Sequence, residues 1–351
     1  MSKNNQKEMA SLAVAAEVEL NLHDLNNELS AGNVTMIRTV NMVLNGQPVL
    51  DVPAVSGRML KHWHWENFRQ RILAKPSPKL CGACTMGETI RPANLIEVKE
   101  GNTLKWQFIS AEEGKQLDEA VVPVCAACDL HGFLVAAGAR SDRRLSRILF
   151  AWLLPTEQSA SRISETRETI THSRVQKTSY DVEGLSEKKE KGAQMIYDKT
   201  YASGDYAFLS YLNLDGIGKG LVEDKETQLL SNNPEELTRR KRAALWAYYD
   251  MLAGGKMGAS LSHSLPHMRV TKLLLALSPK PMPVPVSPIY TGWVDETLSL
   301  LRDPEEVVFI YTITPLKPDP NRIISCKDIK EVFEKADEKL GGENDNEGSK
   351  S

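Results

Sequence analysis

From residue 12 to 22 apolar residues dominate, and Val14, Val18, Leu20 and Leu22 stand beside alternate polar neighbours, the period of a half-buried strand. Two further strand-like runs, 35–44 and 49–52, flank Asn45-Gly46, a hairpin signal because both positions tolerate positive φ. The period then becomes helical. Ser56 can cap a helix from Gly57 to Leu73 that stops before Pro76, and Leu60, His64, Phe68 and Ile72 recur at i+4 with Met59 and Trp63 beside them, so one stripe faces a core. A second helix begins at Asn233-Pro234-Glu235-Glu236, with cap, proline at N1 and glutamate at N3, and ends at Gly254-Gly255. Its inward stripe is Leu237, Ala244, Leu245, Tyr248 and Leu252, with Arg239, Arg240 and Arg242 pointing elsewhere. A short hairpin is expected over 96–98 and 104–109, strands over 148–154, 194–197, 207–214, 270–277 and 307–314, and a third helix over 293–301. Short strands interleaved with few helices indicate an α+β fold with an antiparallel sheet. The economical arrangement is a ferredoxin-like β-α-β-β-α-β unit whose two capped helices cover one sheet face.

Two stretches break this pattern. Residues 74–142 read as an insertion carrying prolines and two cysteine pairs, Cys81-Gly-Ala-Cys84 and Cys125-Ala-Ala-Cys128. In a reducing compartment such pairs read as a closed, structural four-thiolate zinc site, although the gap between them exceeds the usual ribbon spacing and two unrelated thiol pairs are the alternative. Residues 156–192 are charged and hydroxyl-rich, with strand-like pieces at 170–175 and 179–182, and are too polar to bury themselves, so they are expected to project as an arm or to stay mobile until something binds them.

Composition narrows the partners. The 351 residues are 41% hydrophobic and 25% charged, as in a globular chain, and no apolar run approaches a membrane span. The start, MSKNNQKEMA, lacks the apolar region of a secretory signal, which points to the cytoplasm. The net charge is -3, but residues 327–351 hold eight acidic and five basic residues, so the body before this acidic tail is formally neutral. Any nucleic-acid site is then a local groove. One helix face carries Arg58, Lys61, Trp65 and Arg69 with His62 beside them, a mixture suited to phosphate and stacked bases or simply to solvent. Arg38 interrupts an apolar row, at a sheet edge or on a ligand, while Arg140, Arg143, Arg144 and Arg147 precede a strand, as a soluble entry or as phosphate contacts. The loop Gly254-Gly-Lys-Met-Gly-Ala259 lacks the order of a nucleotide-hydrolysing P-loop. Six histidines, His62, His64, His131, His172, His263 and His267, motivate a metal-dependent ribonuclease as the rival reading, yet no HExxH, carboxylate pair or activated nucleophile accompanies them. His64, on the apolar stripe, reads as a core histidine. No helix-turn-helix pattern supports a DNA-binding repressor.

Six stretches carry a resemblance: Leu20-Asn-Leu-His-Asp-Leu-Asn26, Val52-Pro-Ala-Val-Ser-Gly-Arg-Met-Leu-Lys-His-Trp-His64, Asp129-Leu-His-Gly-Phe-Leu134, His172-Ser-Arg174, Ala193-Gln-Met195 and Gly258-Ala-Ser-Leu-Ser-His-Ser-Leu-Pro266. In this order the chain resembles the backbone-forming subunit of type I CRISPR surveillance complexes (Cascade), in the archaeal-type DevR/Csa autoregulator branch of the RAMP superfamily. The resemblance implies a modified RNA-recognition fold with palm (11–73, 143–155 and 193–326), inserted fingers (74–142) and a thumb hairpin (156–192), while residues 327–351 read by themselves as an acidic tail, a short helix fading into disorder. It implies a non-catalytic protein that polymerises along CRISPR RNA and leaves bases free to pair with a target DNA strand. Its partners are then that RNA, other copies of itself, other Cascade subunits and a recruited nuclease-helicase. Carried over by position, the RNA-binding residues are Asn21, Asn26, Ser56, Gly57, Arg58, Lys61, His62, Arg174, Gln194, Met195, Lys256 and Gly258. Arg38, Arg143 and Arg144 join them on charge. Nothing in the family pattern requires the cysteines.

Overall fold

The computed structural model describes residues 7–31, 34–76, 79–98, 103–137, 140–162, 165–175, 194–223, 225–259, 261–262, 264–313 and 323–341. From the N-terminus, β1 (Ser11–His23) is followed by β2 (Asn27–Ala31), β3 (Val34–Ile37) and the hairpin of β4 (Thr39–Leu44) and β5 (Gln47–Pro53). Helix α1 (Gly57–Leu73) leads into α2 (Gly82–Met86), the hairpin of β6 (Ala93–Val98) and β7 (Thr103–Phe108), α3 (Leu117–Val121), α4 (Ala126–His131) and the hairpin of β8 (Phe133–Ala137) and β9 (Arg140–Arg144). The chain continues through β10 (Ile148–Phe150), β11 (Leu154–Pro155) and α5 (Glu157–Ala160) to β12 (Arg167–Val175) and the long β13 (Gln194–Asn213). The hairpin of β14 (Lys219–Val222) and β15 (Lys225–Gln228), helix α6 (Pro234–Leu252), β16 (His267–Ser278), α7 (Trp293–Leu300), β17 (Val307–Thr312), β18 (Ile323–Ser325) and α8 (Ile329–Lys339) follow.

The central sheet has the order expected of the ferredoxin-like unit. β1 lies between β16 and β13, and β10 and β11 pair with the far edge of β13, all antiparallel. Taking β1-α1-β10-β13-α6-β16 in sequence, the spatial order is fourth, first, third, second. β17 and β18 extend the sheet beyond β16. The alternation along β1 has a direct structural meaning. Leu12, Val14, Ala16, Val18 and Leu20 face the core shared with α1 and α6, while Ala13 and Ala15 face a second core that includes Trp293 and Leu301. Small side chains on that second face let the segment before and through α7 approach closely.

Both long helices start as expected. The Ser56 hydroxyl accepts the Met59 N–H and the Asn233 side chain accepts the Glu236 N–H, caps that contribute about 1 kcal/mol each. The Asn45-Gly46 turn has positive φ at both positions. Several expectations are corrected. Residues 35–44 are not one strand: the Arg38 N–H donates to the Asn26 carbonyl and the Arg38 carbonyl accepts the Ala54 N–H, which sends β3 and β4 to different sheets. Leu22 has φ 53° and is exposed, so the alternation ends before it. The runs at 194–197 and 207–214 are one strand, whose first half pairs with β12 and whose second half belongs to the central sheet. The stretch 327–351 does begin with a short helix, α8, but it is not free of the body: Val332, Phe333 and Ala336 are buried in the main core and Asp337 pairs with Arg242. The run at 179–182 and everything after residue 341 lie outside the described residues.

The largest correction concerns Arg240. It is fully buried, its Nη1 donating to Asp129 Oδ2 and the Val122 carbonyl (2.8 Å each) and its Nη2 pairing with Glu236. Arg144 approaches the same Asp129 from β9, Nη2 to Oδ1 at 2.5 Å, and also holds Asp118 at 2.8 Å. Removing one member of such a cluster strands its partners without solvent. Arg240→Ala is therefore expected to lower stability by about 3–5 kcal/mol, read as a shifted urea midpoint; a change below about 1 kcal/mol would mean that the cluster relaxes without cost.

Candidate functional site

Three stretches far apart in sequence meet at the start of α1. Asn26 is buried and its Oδ1 accepts the Ser56 N–H at 3.1 Å, so it shapes the helix start. The Leu25 carbonyl accepts the Ala259 N–H at 2.8 Å, and Gly258 sits so close to Leu25 that a Cβ there would lie 2.4 Å from its side chain. The Lys256 carbonyl accepts from Asn67 Nδ2 at 2.8 Å, leaving its side chain exposed. Gly57 is needed because a Cβ would come within 2.5 Å of the Phe150 carbonyl oxygen. Asn21 donates to Glu19 at 3.0 Å, and the Arg38 guanidinium lies 5.9 Å from the Trp152 ring centre. The amide loop, the helix start and the glycine loop thus converge as the sequence suggests. Within this cluster, however, Asn26, Gly57 and Gly258 act on backbone geometry.

On the neighbouring side of α1, the side chains of Arg58, Lys61 and Arg143 line a groove of about 1030 Å³. Burial, aided by the charge of Arg91, lowers the Lys61 pKa to about 8. His62 is exposed beside Trp65, with its pKa lowered mainly by burial. Two expectations fail here. Trp65 is only 2% exposed, so no base can stack on it, and Arg69 is engaged by Glu66 at 2.7 Å and by the Thr85 carbonyl at 3.0 Å. Arg144 borders the groove but spends its donors on Asp118, Asp129 and the Asp129 carbonyl, so phosphate contact is not its role. Arg147 likewise pairs with Glu226. Arg91, in the loop before β6, was not singled out by its sequence; its neighbours Trp65 and Lys61 come from α1, and no local spacing announces them.

At the arm, Arg174 pairs with Met195 and Val175 with Gln194 across the β12–β13 ladder, so the three expected residues are adjacent; only their backbone is described. His172 stands next to them, stacked on Tyr197 with ring centres 5.2 Å apart and 3.1 Å from the Tyr201 hydroxyl.

The four cysteines converge although 40 residues separate the pairs. Cys81 and Cys84 come from the start of α2, Cys125 and Cys128 from the start of α4, and all four sulfurs lie within 4.8 Å of one another in a buried cluster. Cys84 and Cys81 stand 3.7 and 3.9 Å from Cys128, near the sulfur spacing of about 3.8 Å set by tetrahedral bonds of about 2.3 Å to one metal. Hydrogen bonding from Cys125 and Cys128 favours a thiolate at Cys81, whereas hydrogen bonding with Cys125 and Cys81 pushes Cys128 well above the ordinary thiol range. Cys81 and Cys125 are shifted towards the thiolate and Cys84 and Cys128 away from it, so a cation is what would let all four ionise together. The cluster can hold a metal ion.

Beside it, His64 and His131 form a buried pair. His64 Nε2 donates to the Ala244 carbonyl at 3.0 Å, so its Nδ1 accepts from His131 Nε2 at 2.9 Å. This chain ties α1 to α4 and α6. The other ribonuclease candidates are dispersed: His62 is on the α1 surface, His172 on β12, His267 at the start of β16, and His263 lies outside the described residues.

Residues 14–298 match the family model described as CRISPR-associated negative auto-regulator DevR/Csa2. A Methanocaldococcus jannaschii protein named CRISPR-associated protein Cas7/Cst2/DevR is 28% identical over 347 residues, covering 94% of this chain and 99% of that one. A Saccharolobus solfataricus protein named CRISPR-associated protein Cas7/Csa2 1 is 26% identical, covering 81% and 83%. In fold the chain is similar to a subunit of a solved CRISPR RNA-guided surveillance complex, pre-nicking, with a TM-score of 0.52, 8% identity and coverage of 94% and 100%.

The histidine pair gives a pH prediction. Burial lowers the His64 pKa to about 3 and holds His131 well below its ordinary value, so both stay neutral in the folded chain while the unfolded chain takes up protons near 6.5. The stability they allow is complete above pH 6.5 and falls as pH drops toward 3, by about 1.4 kcal/mol per pH unit for each histidine. Urea titrations between pH 7 and 4.5 are expected to show this slope, and His131→Phe to flatten it; an unchanged slope in that variant would assign the protons elsewhere.

Proposed function

The chain belongs to the CRISPR-associated negative auto-regulator DevR/Csa2 family, and from that membership we propose that it is a non-catalytic CRISPR RNA-binding backbone subunit of a type I Cascade complex. The family match across residues 14–298 carries the reading. In it, copies of the chain polymerise along the guide RNA. They hold its ribose-phosphate track without reading bases and present those bases for pairing with a target DNA strand. The central sheet with α1 and α6 is the palm, residues 74–142 are the fingers, and the β12–β13 ladder is the base of the thumb. Arg58, Lys61 and Arg143 contact phosphate, with Ser56, Arg38, His62 and Lys256 bordering the same track. Asn21, Arg174, Gln194 and Met195 approach the RNA from the β1 end and the thumb. Asn26, Gly57 and Gly258 shape the surface that does so.

The cysteine cluster would hold zinc with a closed, four-thiolate shell. Such a metal supplies folding energy and no open position for hydrolysis. Other Cascade subunits and a recruited nuclease-helicase complete the assembly, which works in the cytoplasm; no helix among the described residues is long and apolar enough to cross a membrane. The ribonuclease reading gains no support, because the described histidines among those that motivated it do not meet at an open site.

Purification from its natural host is expected to yield the chain with repeat-derived small RNA in an ordered multimer. Affinity no greater than for a random polymer of equal charge, with no multimer, would overturn the reading. Lys61→Ala is expected to weaken RNA binding irrespective of spacer sequence and to reduce the steepness of the salt dependence by about one unit, in anisotropy titrations over several salt concentrations. Elemental analysis of protein prepared without chelator is expected to give one zinc per chain, lost in Cys84→Ser; zinc-free, fully folded protein would reject the metal.

A further inference from the structure

Resting on that reading, we propose that the four-cysteine site is coupled to RNA binding: a zinc ion on Cys81, Cys84, Cys125 and Cys128 clasps the two sides of the groove at one spacing, so that metal and RNA each tighten the binding of the other. Both helices that bring the cysteines run straight into the groove. Three residues after Cys128 the chain reaches His131, which lines the groove together with Gly132 and Leu134. Five residues after Cys84 it reaches Thr89, which lines the groove together with Arg91. The clustered sulfurs therefore join two segments just before each of them enters the groove.

The other side of the groove is α1, with Arg58 and Lys61, and it is fixed to both of these helices. Arg69 Nη1 donates to the Thr85 carbonyl of α2 at 3.0 Å, and His64 Nδ1 accepts from His131 Nε2 of α4 at 2.9 Å. At a rise of about 1.5 Å per residue, Lys61 stands about 4.5 Å along α1 from His64 and about 12 Å from Arg69, so the groove cations and both attachment points share one stiff rod. Helices α1, α2 and α4 thus form a ring. Its third side is closed by the cysteines and by the Ala126 N–H, which donates to the Lys79 carbonyl at 3.0 Å.

A metal is what makes that third side rigid. Thiols are weak donors and weak acceptors, and four thiolates at this spacing repel one another, so no protonation state of the sulfurs alone holds the two helix starts as a tetrahedral shell does. Helix α2 has five residues and α4 six, too short to keep their place by their own hydrogen bonds. A shift of α4 carries His131 to Leu134 with it and, through the Arg144 pair with Asp129, also β9 with Arg143. Arg143 then loses register with Arg58 and Lys61 across the groove. An RNA that touches both sides favours the closed ring, the closed ring is the state the metal holds, and the two effects are equal by linkage.

Two titrations of the full-length chain test the coupling: a repeat-derived RNA, followed by anisotropy, against the zinc-loaded and the metal-free chain, and a chromophoric chelator against the zinc-loaded chain with and without that RNA. The metal-free chain is expected to bind the RNA about tenfold more weakly, and the RNA to raise the zinc affinity by the same factor. His131→Phe is expected to keep its zinc and to shrink both factors together, because it removes the hydrogen bond between α4 and α1. An unchanged factor in that variant would mean that the metal acts only by keeping the chain folded, and would overturn the coupling. If the metal-free chain fails to fold, the chelator titrations on loaded wild type and loaded His131→Phe still decide. Equal RNA affinity of the loaded and the folded metal-free chain, or a zinc affinity indifferent to RNA, would overturn the coupling and leave the backbone reading standing. A wild-type chain that binds no RNA sinks the backbone reading, and one that binds RNA but no zinc sinks the metal; either takes this proposal with it.

Discussion

Asp129 is the point on which the arrangement turns. Fully buried in α4, its carboxylate accepts from Arg144 of β9, Arg240 of α6 and the Gly218 N–H, at 2.5, 2.8 and 2.9 Å. Three chain segments, β9, α6 and the turn before β14, are held to α4 in one geometry by a single acid. Buried charges of this kind add little stability compared with a well-packed apolar substitute, but they tolerate only one relative placement of their partners. The segment carrying α4 and β9 is thereby registered against α6.

That registration has two consequences on opposite sides of α4. On one side, Cys125 and Cys128 are brought to Cys81 and Cys84, so that the metal-binding cluster and the Asp129 cluster fasten the same helix. On the other, Gly132 lets the chain pass the Arg144 carbonyl, where a Cβ would lie 2.3 Å from the oxygen, and places β8 opposite α1. The groove proposed to hold a nucleic-acid strand is the space left between them. Its cations are unpaired because the acids of this region, Asp118 and Asp129, are committed to buried arginines.

Charge therefore acts here by position. With a net charge of -3, the chain cannot attract a polyanion through its overall field, and a sequence-independent grip on phosphate must come from a few cations left without counter-ions. Such a grip suits the DevR/Csa2 family reading, in which base pairing supplies the discrimination and the protein supplies the track.

Much of this was legible in the chain. Local periodicity and capping chemistry determined both long helices to within a residue and the Asn45-Gly46 hairpin, because those depend on side chains a few positions apart. The spacing of three positions within each cysteine pair announced the cluster, and the fold closes it by bringing the starts of α2 and α4 together. What no local pattern could decide was which polar residues go inside. Arg144 and Arg240 look like their exposed neighbours Arg143 and Arg239, Trp65 looks available for stacking, and Arg91 looks like any loop cation. Their roles follow from partners outside their own element, Asp129 being 15 residues from Arg144 and 111 from Arg240, and a charged side chain is buried or offered to a ligand according to whether folding brings it a counter-charge. Only the tertiary structure supplies that partner.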